Sequence, residues 1–439
     1  MKHLRIGFAR TDITPPNPAP NYRGKILQLP PDGEPRLECI ASVISVGQET
    51  VSVVSLDALC ISRELVLRIR ERASLLNGIN APTNLVIAAT HTHCAPHLAP
   101  AFTEGVAPDP MYSDIVSERV VRTLEEAISN MCEAELFAGK AKCPGFEFNR
   151  RFMRKDGRVV TTLASESVTG LESCGGIDDE IPFWFFKSAS GDPLGAIFSY
   201  PCHNNAARSP FMSPDIAGYC RQAMAEKLGG GFTGLMLAGA CGDVTWVDPV
   251  ERPSGGSELA ERIGRRVADS VLNATENAEA IEVDTLRYLS RIMVIADRLP
   301  SESSYCDDGC RGSSQEEMEV QKKRYAPERE AVESRGATSA AVEVSALVLR
   351  DTALVTNPAE LFVGLGLKIR SCSPFPVTMV VELANGYVGY VPSERDFELG
   401  GYETHRTVYT SRLVKRAGRQ IVESSLALLN QNGTATHAE

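Results

Sequence analysis

Short apolar runs and amphipathic stretches alternate along the chain. The runs RLECIASVISV and TVSVVSL, within residues 36–56, predict two strands around the turn GQE, and NLVIAAT predicts a further buried strand. The spacing of apolar residues at 62–73 and 113–129 predicts two helices, the second with Ser113 as its N-cap. Strands that alternate with helices in this way are typical of an α/β fold.

The same alternation continues to the end of the chain. The hydrophobic pattern predicts strands at 193–203, 234–243 and 376–392, helices at 213–228, 257–274, 359–371 and 409–430, and a hairpin around an Arg-Asp turn at 340–358. The polar stretch 300–340 interrupts this pattern and is interpreted as a surface insertion or a lid, because strands and helices resume after it. We therefore predict a single domain over residues 1–430, followed by a polar tail at 431–439.

The composition excludes some classes of partner. The chain has 439 residues and a formal net charge of −11, which argues against a nucleic-acid partner because phosphate contacts need clustered Lys and Arg. No stretch approaches 18 continuous apolar residues, so we expect no transmembrane segment. The start of the chain has neither the apolar core nor the cleavage site of a signal peptide, so we expect a cytoplasmic protein.

The twelve cysteines follow no repeating spacing, and several lie in apolar runs. In a chain without an export signal we expect reduced thiols that pack as small apolar side chains. The pair Cys306 and Cys310, in CDDGC, has the spacing to chelate a metal or to form a disulfide. It is a weak signal, since no second pair accompanies it.

Five sets of polar residues follow predicted strands. They are Asp57; His91 and His93; His203; Asp243 and Thr245; and Tyr387 and Tyr390. In open α/β sheets, ligands bind beyond the carboxyl ends of the strands. Five such sets in one chain, with three of its seven histidines among them, predict one convergent site.

The segment HTHCAPH places His91, His93 and His97 within seven positions. If the segment is extended, the rings of His91 and His93 lie on one side of it. Neutral imidazole is a common zinc ligand, but histidines also cap strand ends through hydrogen bonds, so both roles remain open from these residues alone. The Gly-Asp turn in GDVTW likewise needs no function, and burial after an apolar run argues against Cys94 as a thiol nucleophile.

Taken in order, these motifs resemble the neutral/alkaline (non-lysosomal) ceramidase family. The resemblance runs through IGFARTDITPP, HTHCAP, FNRRF, SYPCHNN, AGACGDVTW, NPAELF and LANGYVGYVPSERDFELGGYET, over roughly residues 5–410. It implies the fold of that family's catalytic domain, with central mixed β-sheets flanked by helices and without the carboxy-terminal immunoglobulin-like domain. It also implies a zinc-dependent amidohydrolase of sphingolipid and lipid metabolism that cleaves the amide of an N-acyl compound.

The resemblance further implies one Zn²⁺ per chain, held by four residues. His91 and His203 match the family's two histidine ligands, Glu360 of NPAELF matches its glutamate ligand, and Tyr390 matches its tyrosine ligand. Two imidazoles, a carboxylate and a phenol oxygen are chemically suited to zinc at a catalytic site.

Five other residues complete the hypothesis for the reaction centre. Arg150 and Tyr402 stabilise the developing oxyanion, and His93 passes a proton to the leaving amine. Thr245 orients the water or the substrate, and Asp243 holds the loop or a histidine that binds the metal.

The chain also departs from the family pattern. Thr245 and Trp246 stand where the family has serine and proline, and HTHCAPHL stands where it has HTHSGPGG. These changes leave the substrate open between a lipid and a small soluble N-acyl compound. Two alternatives to an amidohydrolase also remain: a zinc-dependent hydrolase of esters, lactones or cyclic amides, and a relative that binds zinc and a ligand without turnover.

Overall fold

The fold is described from a computed structural model of the chain. The structure describes residues 3–76, 84–101, 107–155, 157, 159–161, 168, 170–299 and 315–431. The pair Cys306 and Cys310, and the first part of the expected insertion, lie outside the described residues.

Strands account for most of the regular structure. The first eleven are β1 (Leu4–Asp12), β2 (Ala19–Pro20), β3 (Ile26–Leu27), β4 (Glu38–Val46), β5 (Glu49–Leu56), β6 (Leu85–Ala89), β7 (Cys132–Lys142), β8 (Phe148–Asn149), β9 (Arg151–Met153), β10 (Val159–Thr161) and β11 (Glu172–Ser173). The later ones are β12 (Glu180–Ser188), β13 (Pro193–Tyr200), β14 (Thr233–Ala238), β15 (Val244–Thr245), β16 (Ala280–Ile281), β17 (Leu286–Ala296), β18 (Ser339–Leu349), β19 (Thr352–Thr356), β20 (Glu360–Leu361), β21 (Val377–Val381) and β22 (Tyr390–Val391).

Helices lie between the strands. They are α1 (Arg63–Ala73), α2 (Pro110–Ser129), α3 (Ile216–Leu228), α4 (Ser257–Thr275), α5 (Gln315–Arg335), α6 (Val363–Cys372), α7 (Glu394–Leu399) and α8 (Ala417–Leu429), with a 3-10 turn at Tyr402–Thr404. Among the described residues, none of these helices combines the length and the apolar character that crossing a bilayer requires.

Two mixed sheets form the centre of the molecule. The larger has the order β14-β13-β12-β7-β1-β4-β5-β6, with β16 also paired to β7, and the smaller has the order β17-β18-β19-β21. Three neighbouring pairs are parallel, namely β13 with β14, β5 with β6, and β19 with β21. The sheets therefore match the predicted mixed α/β class.

The larger sheet packs against the smaller one, and helices cover the outer faces. Apolar side chains of both sheets, such as Ile44, Trp184, Leu354 and Met379, form one buried cluster between them. Helices α1 to α4 pack on the larger sheet, and α6 and α8 pack on the smaller. This double covering explains the continuous apolar run in β6, because a strand buried on both faces needs no alternation.

The larger sheet curls until its two ends meet. Strand β14, at one end of the order, also contacts β4, β5 and β6 near the other end, and the Ser55 hydroxyl donates to the Met236 carbonyl at 2.6 Å. Strands β13 and β14 run opposite to β5 and β6 along the sheet order, so the open-sheet rule does not explain how their ends come together. Curling, rather than a common strand direction, brings the carboxyl ends of β6 and β14 close to each other.

Several expected boundaries are wrong, each for a local reason. Helix α2 begins at Pro110, and its N-cap is Asp109 rather than Ser113, because the Asp109 carboxylate accepts the Met111 amide at 2.9 Å. The predicted helix at 359–371 starts only at Val363, since Glu360 and Leu361 pair with β22. The stretch interpreted as an insertion carries the 21-residue helix α5.

A buried ion pair joins α1 to the smaller sheet and gives a stability prediction. Glu343 accepts from Arg70 at 2.7 and 2.9 Å, from Arg63 at 3.0 Å and from Asn385 at 3.1 Å. We expect Glu343→Ala to lower the free energy of unfolding by about 3–5 kcal/mol, because it leaves a buried guanidinium without its counter-charge. Urea denaturation at pH 7 measures this change.

The matched control is Asp114→Ala, which breaks the exposed 2.7 Å pair between Arg68 of α1 and Asp114 of α2. We expect this change to lower the free energy of unfolding by under about 1 kcal/mol.

The stabilisation that Glu343 provides also has a defined pH dependence. Burial raises the pKa of Glu343, but the guanidinium of Arg70 lowers it below the usual 4.5 overall. The stabilisation is therefore complete above about pH 4.5 and is lost as the pH falls below it. If Glu343→Ala and Asp114→Ala lowered the free energy of unfolding by the same amount, the buried pair of Glu343 and Arg70 would not stabilise the fold as we expect.

Candidate metal centre

Four segments meet where β6 and β14 come together. They are the loops after β6, β13 and β14, together with the short parallel pair of β20 and β22. Backbone hydrogen bonds connect these segments: the Ala89 amide donates to Leu383, Glu382 to Ala238 and Gly242 to Leu361, at 2.9–3.1 Å. The side chains that follow the strands are thus placed on an interlocked backbone.

Asp57, which belongs to the first predicted polar set, anchors this backbone. Its carboxylate is buried and pairs with the guanidinium of Arg221, accepts the Glu38 amide at 2.8 Å and accepts the Thr90 hydroxyl at 3.1 Å. Thr90 directly follows β6 and precedes His91, so its hydrogen bond to Asp57 fixes the position from which the His91 backbone starts.

His91 turns its ring into the interior. Its φ of 67° ends the extended segment, so the condition under which both rings would lie on one side of a strand is not met. The rings of His91 and His93 nevertheless lie 5.0 Å apart. The Nδ1 atom bonds the Leu59 carbonyl at 2.9 Å. This contact makes Nδ1 the protonated nitrogen and leaves the lone pair of Nε2 directed at Oε2 of Glu360, 3.4 Å away.

His203 is held in the same manner. Its Nδ1 bonds the Cys241 carbonyl at 2.9 Å, and its Nε2 lies 3.7 Å from the same Glu360 oxygen. The loop after His203 is fixed by Asp215, whose carboxylate accepts the amides of Ala206 and Ala207 at 2.9 and 2.8 Å. Histidines that bind metals almost always donate their other N–H to a carbonyl or a carboxylate, as both rings do here.

Glu360 and Tyr390 are register partners in the pair of β20 and β22. The neighbouring Tyr387 donates its hydroxyl to Oε1 of Glu360 at 2.8 Å, which leaves Oε2 facing the histidines. Tyr390 is buried, and its ring lies under the Arg150 guanidinium at 5.4 Å.

The spacing of these donors fits a single cation. Tetrahedral zinc with bonds of about 2.0–2.1 Å places its ligand atoms about 3.3 Å apart, close to the 3.4 and 3.7 Å that separate Glu360 Oε2 from the two Nε2 atoms. Both Nε2 of His91 and Oε2 of Glu360 are buried without a hydrogen-bond partner. One ring nitrogen each of His91, His93 and His203 lies within 4.8 Å of the other two. The residues therefore fit a metal ion.

The protonation states also favour a cation. Burial favours the neutral acid of Glu360, but protonated rings at His203 and His91 would hold the pKa of this carboxyl well below its usual value, so the carboxylate is favoured when a positive charge lies beside it. Burial, followed by the charge of Arg150, lowers the pKa of His203 to about 4. Burial and the Glu360 carboxylate raise the pKa of Tyr390, so binding of its oxygen to a metal would release a proton.

His93 lies beside the proposed ligands with its own partner. Its Nδ1 hydrogen-bonds the Tyr22 hydroxyl at 3.1 Å, and its Nε2 is buried with no hydrogen-bond partner. Burial, followed by the neighbouring His91 and His203, lowers the pKa of His93 well below its usual value. It is therefore a neutral ring with one nitrogen oriented by Tyr22 and the other available.

Arg150 connects the histidines to a second buried acid. Its Nε donates to Glu403 at 2.7 Å, its Nη2 donates to the Gly242 carbonyl at 2.7 Å, and its Nη1 lies 3.0 Å from Nε2 of His203. Glu403 also accepts from Arg151 at 2.7 Å. The guanidinium is thus fixed on two sides, with one edge facing the donors.

The structure places the remaining predicted residues around this core. The ring of Tyr402 packs edge-on against Tyr390 at 6.0 Å. Asp243 accepts the Val363 amide at 2.7 Å and the Asn149 side chain at 2.8 Å, so it holds the loop, and no described contact joins it to a histidine. Thr245 is buried in β15, where its hydroxyl accepts the Val247 amide at 3.4 Å.

Two neighbours of the HTH motif lie outside the centre. His97 is buried, but it does not belong to the histidine cluster found among the described residues. Burial raises the pKa of the Cys94 thiol to about 12. A thiol in that state is a poor nucleophile, in agreement with the expectation from the sequence.

Three residues near the centre have no sequence signal. Tyr22 lies in a proline-rich loop about 70 positions before its partner His93, and Glu403 follows Tyr402 without any distinguishing spacing. Glu382 is buried and accepts the amides of Cys241 and Leu361 at 3.2 and 2.8 Å. It therefore joins the carbonyl that holds His203 to the strand that carries Glu360.

Comparison with known proteins gives one match by sequence and four by structure, two of which are described below, while no family model matches the chain. Neutral ceramidase from Pseudomonas aeruginosa is 26% identical over 148 residues, which are 32% of this chain and 21% of that protein. The crystal structure of that neutral ceramidase covers 100% of this chain with a TM-score of 0.73 at 17% identity, over 76% of its own length. The chain has a ceramidase-like fold. A structure of ceramidase complexed with C2 agrees, with a TM-score of 0.74 over 99% of this chain and 77% of the other.

The predicted fold class is therefore confirmed, and so is the resemblance on which it was based. The sequence match spans about a fifth of the length of the curated ceramidase, so it does not transfer that protein's activity to this chain. The ceramidase-like fold accounts for the way in which two sheets bring distant loops together. The chemistry of the centre has to be argued from its own side chains.

Proposed function

We propose that the chain is a zinc-dependent amidohydrolase that cleaves the amide bond of an N-acyl compound, with one Zn²⁺ held by His91, His203, Glu360 and Tyr390. One observation carries the proposal: Nε2 of His91 and Oε2 of Glu360 face each other, buried and without hydrogen bonds, 3.4 Å apart. Buried polar atoms are costly unless they are paired, and a shared cation satisfies both of them.

The donor set favours zinc among the common metals. Two imidazole nitrogens with one carboxylate and one further oxygen suit zinc, whereas magnesium and calcium prefer oxygen ligands alone. When bound, zinc supplies Lewis acidity to a water molecule and to a carbonyl oxygen.

The side chains of the centre have separable roles in such a hydrolysis. His203 Nε2 can direct its lone pair to Arg150 or to a cation, but not to both. With the lone pair on a cation, the Nη1 donor of Arg150 is released toward the substrate carbonyl oxygen, where Tyr402 is the second predicted donor. The neutral ring of His93, which Tyr22 orients, accepts a proton and passes it to the leaving amine.

The choice of an amide as the cleaved bond rests on the ceramidase-like fold and on the sequence match to neutral ceramidase.

The test of the proposed function is metal analysis of the purified chain, followed by a hydrolysis screen. The screen compares N-acyl amines of short and long chain length with matched esters and lactones. We expect close to one zinc per chain and turnover of N-acyl amines that a chelator abolishes and zinc restores. Turnover of esters alone would replace the amide proposal, and bound zinc without any turnover would indicate a binding protein.

Glu382 provides a prediction about the support of this centre. We expect Glu382→Ala to weaken zinc affinity by about 10–100-fold, because the amides of Cys241 and Leu361 lose their shared acceptor and the two ligands that they position move apart. Zinc affinity is measured by competition with a chromogenic chelator.

The matched variant is Glu382→Gln. Burial raises the pKa of Glu382 well above 4.5, so its neutral carboxyl resembles an amide in shape and in acceptor capacity. We expect this variant to recover most of the affinity. Equal affinity in Glu382→Ala and in the parent would show that Glu382 does not position the ligands.

A further inference from the structure

A cation that no described carboxylate pairs with lies at the edge of the centre, on the side of His93. Arg23 is exposed, and its guanidinium lies over the ring of Tyr22 at 5.1 Å from the ring centre. The same ring carries the hydroxyl that bonds His93 at 3.1 Å. One aromatic side chain therefore contacts both the guanidinium and the residue proposed to serve the leaving amine.

The charge of Arg23 has no counterpart in the described part of the chain. Other arginines near the start of the chain are paired with acids: Arg10 with Glu38 at 4.0 Å, and Arg36 with Asp12 at 3.2 Å. No described carboxylate pairs with Arg23. The guanidinium is exposed, lies over an aromatic face and hydrogen-bonds Tyr22. Because a guanidinium carries five N–H donors in a planar fork, it suits a planar carboxylate.

The loop that carries Arg23 is built to hold it in place. The Asn21 side-chain oxygen accepts the amides of Arg23 and Lys25 at 3.0 and 3.1 Å, and the Asn21 carbonyl accepts the Gly24 amide at 2.8 Å. This tight turn fixes the backbone on both sides of Arg23 and places a second cation, Lys25, two positions away. A preorganised loop lowers the entropy cost of binding an anion.

We propose that Arg23 binds a carboxylate on the amine portion of the substrate, so that the preferred substrates are N-acyl amino acids rather than neutral N-acyl amines. The inference rests on the proposed hydrolysis and adds the substrate class to it. The position beside His93 decides which half of the substrate carries the acid, because His93 faces the leaving amine and the acyl chain lies on the other side of the scissile carbonyl.

The experiment compares three substrates in the zinc-loaded full-length chain. N-octanoylglycine carries a carboxylate on the amine side, N-octanoylethanolamine is its neutral counterpart, and N-succinylpropylamine carries its carboxylate on the acyl side. We expect kcat/KM for N-octanoylglycine to exceed that for the ethanolamine compound by about 10–100-fold, mainly through KM, because hydrogen bonds between two charged groups are stronger than neutral ones. The succinyl compound is expected to gain no such preference.

Arg23→Gln is expected to reduce the preference for N-octanoylglycine to within about threefold of unity, with zinc content unchanged. Arg36→Gln, which removes an exposed arginine already paired with Asp12, is the matched control and is expected to keep the parental preference. Equal kcat/KM for the acidic and neutral substrates in the parent would overturn the inference, and so would a preference that survives Arg23→Gln. Absence of turnover on all three substrates would instead count against the proposed hydrolysis.

Discussion

Replacing His203 by alanine is expected to abolish both stoichiometric zinc and hydrolysis, and His91→Ala is expected to do the same. Each substitution removes one nitrogen donor and leaves the Glu360 carboxylate facing a cavity. We expect kcat/KM to fall at least about 10³-fold, equivalent to roughly 4 kcal/mol of transition-state stabilisation. Metal analysis after gel filtration and initial rates on an N-acyl amine measure the two losses together.

The control for these variants is His97→Ala. His97 is buried in the same loop, but it lies outside the histidine cluster, so its removal tests the cost of a lost buried imidazole alone. We expect it to retain about one zinc per chain. If His91→Ala or His203→Ala kept full activity while remaining folded, the assignment of these residues as ligands would be wrong.

The sequence was sufficient to predict the class of the fold. Strand β6 is a short apolar run, and helix α1 has Ser62 as its N-cap, whose side chain accepts the Leu65 amide at 3.1 Å. Such local signals depend on neighbours in the chain, so they can be read without the tertiary structure. The ordered motifs added the type of fold, which the structural comparison confirms.

The arrangement of the centre depends on contacts that local patterns do not record. His91 has a left-handed backbone, and its ring hydrogen-bonds the Leu59 carbonyl from 32 positions away; nothing in HTH specifies either feature. Glu360 lies in a strand because β22 pairs with it from 30 positions away, although its surroundings have the spacing of a helix. Tyr22 and Glu403 reach the centre through the curl of the larger sheet and the loop after α7, which are long-range features.

The polar residues after the strands could be listed from the sequence, but their common location could not be justified by strand direction. Strands β13 and β14 oppose β5 and β6, and the closure of the sheet brings their ends together. The curl depends on how the whole larger sheet packs on β18, β19 and β21. A local pattern therefore identifies candidate donors, while the packing of two sheets decides which of them meet.

Arg150→Lys is expected to lower kcat by about 10²–10³-fold while leaving zinc content and KM nearly unchanged, the size of effect seen when one oxyanion donor is removed. Lysine keeps the charge but cannot contact Glu403, Gly242 and His203 at once, as the guanidinium does. Arg151→Lys is the matched control, since Arg151 also pairs with Glu403 at 2.7 Å but has no described contact with His203. We expect it to cost less than about tenfold in kcat. Single-turnover rates on an N-acyl amine separate the two variants, and equal losses in both would mean that Arg150 acts only by holding Glu403 in place.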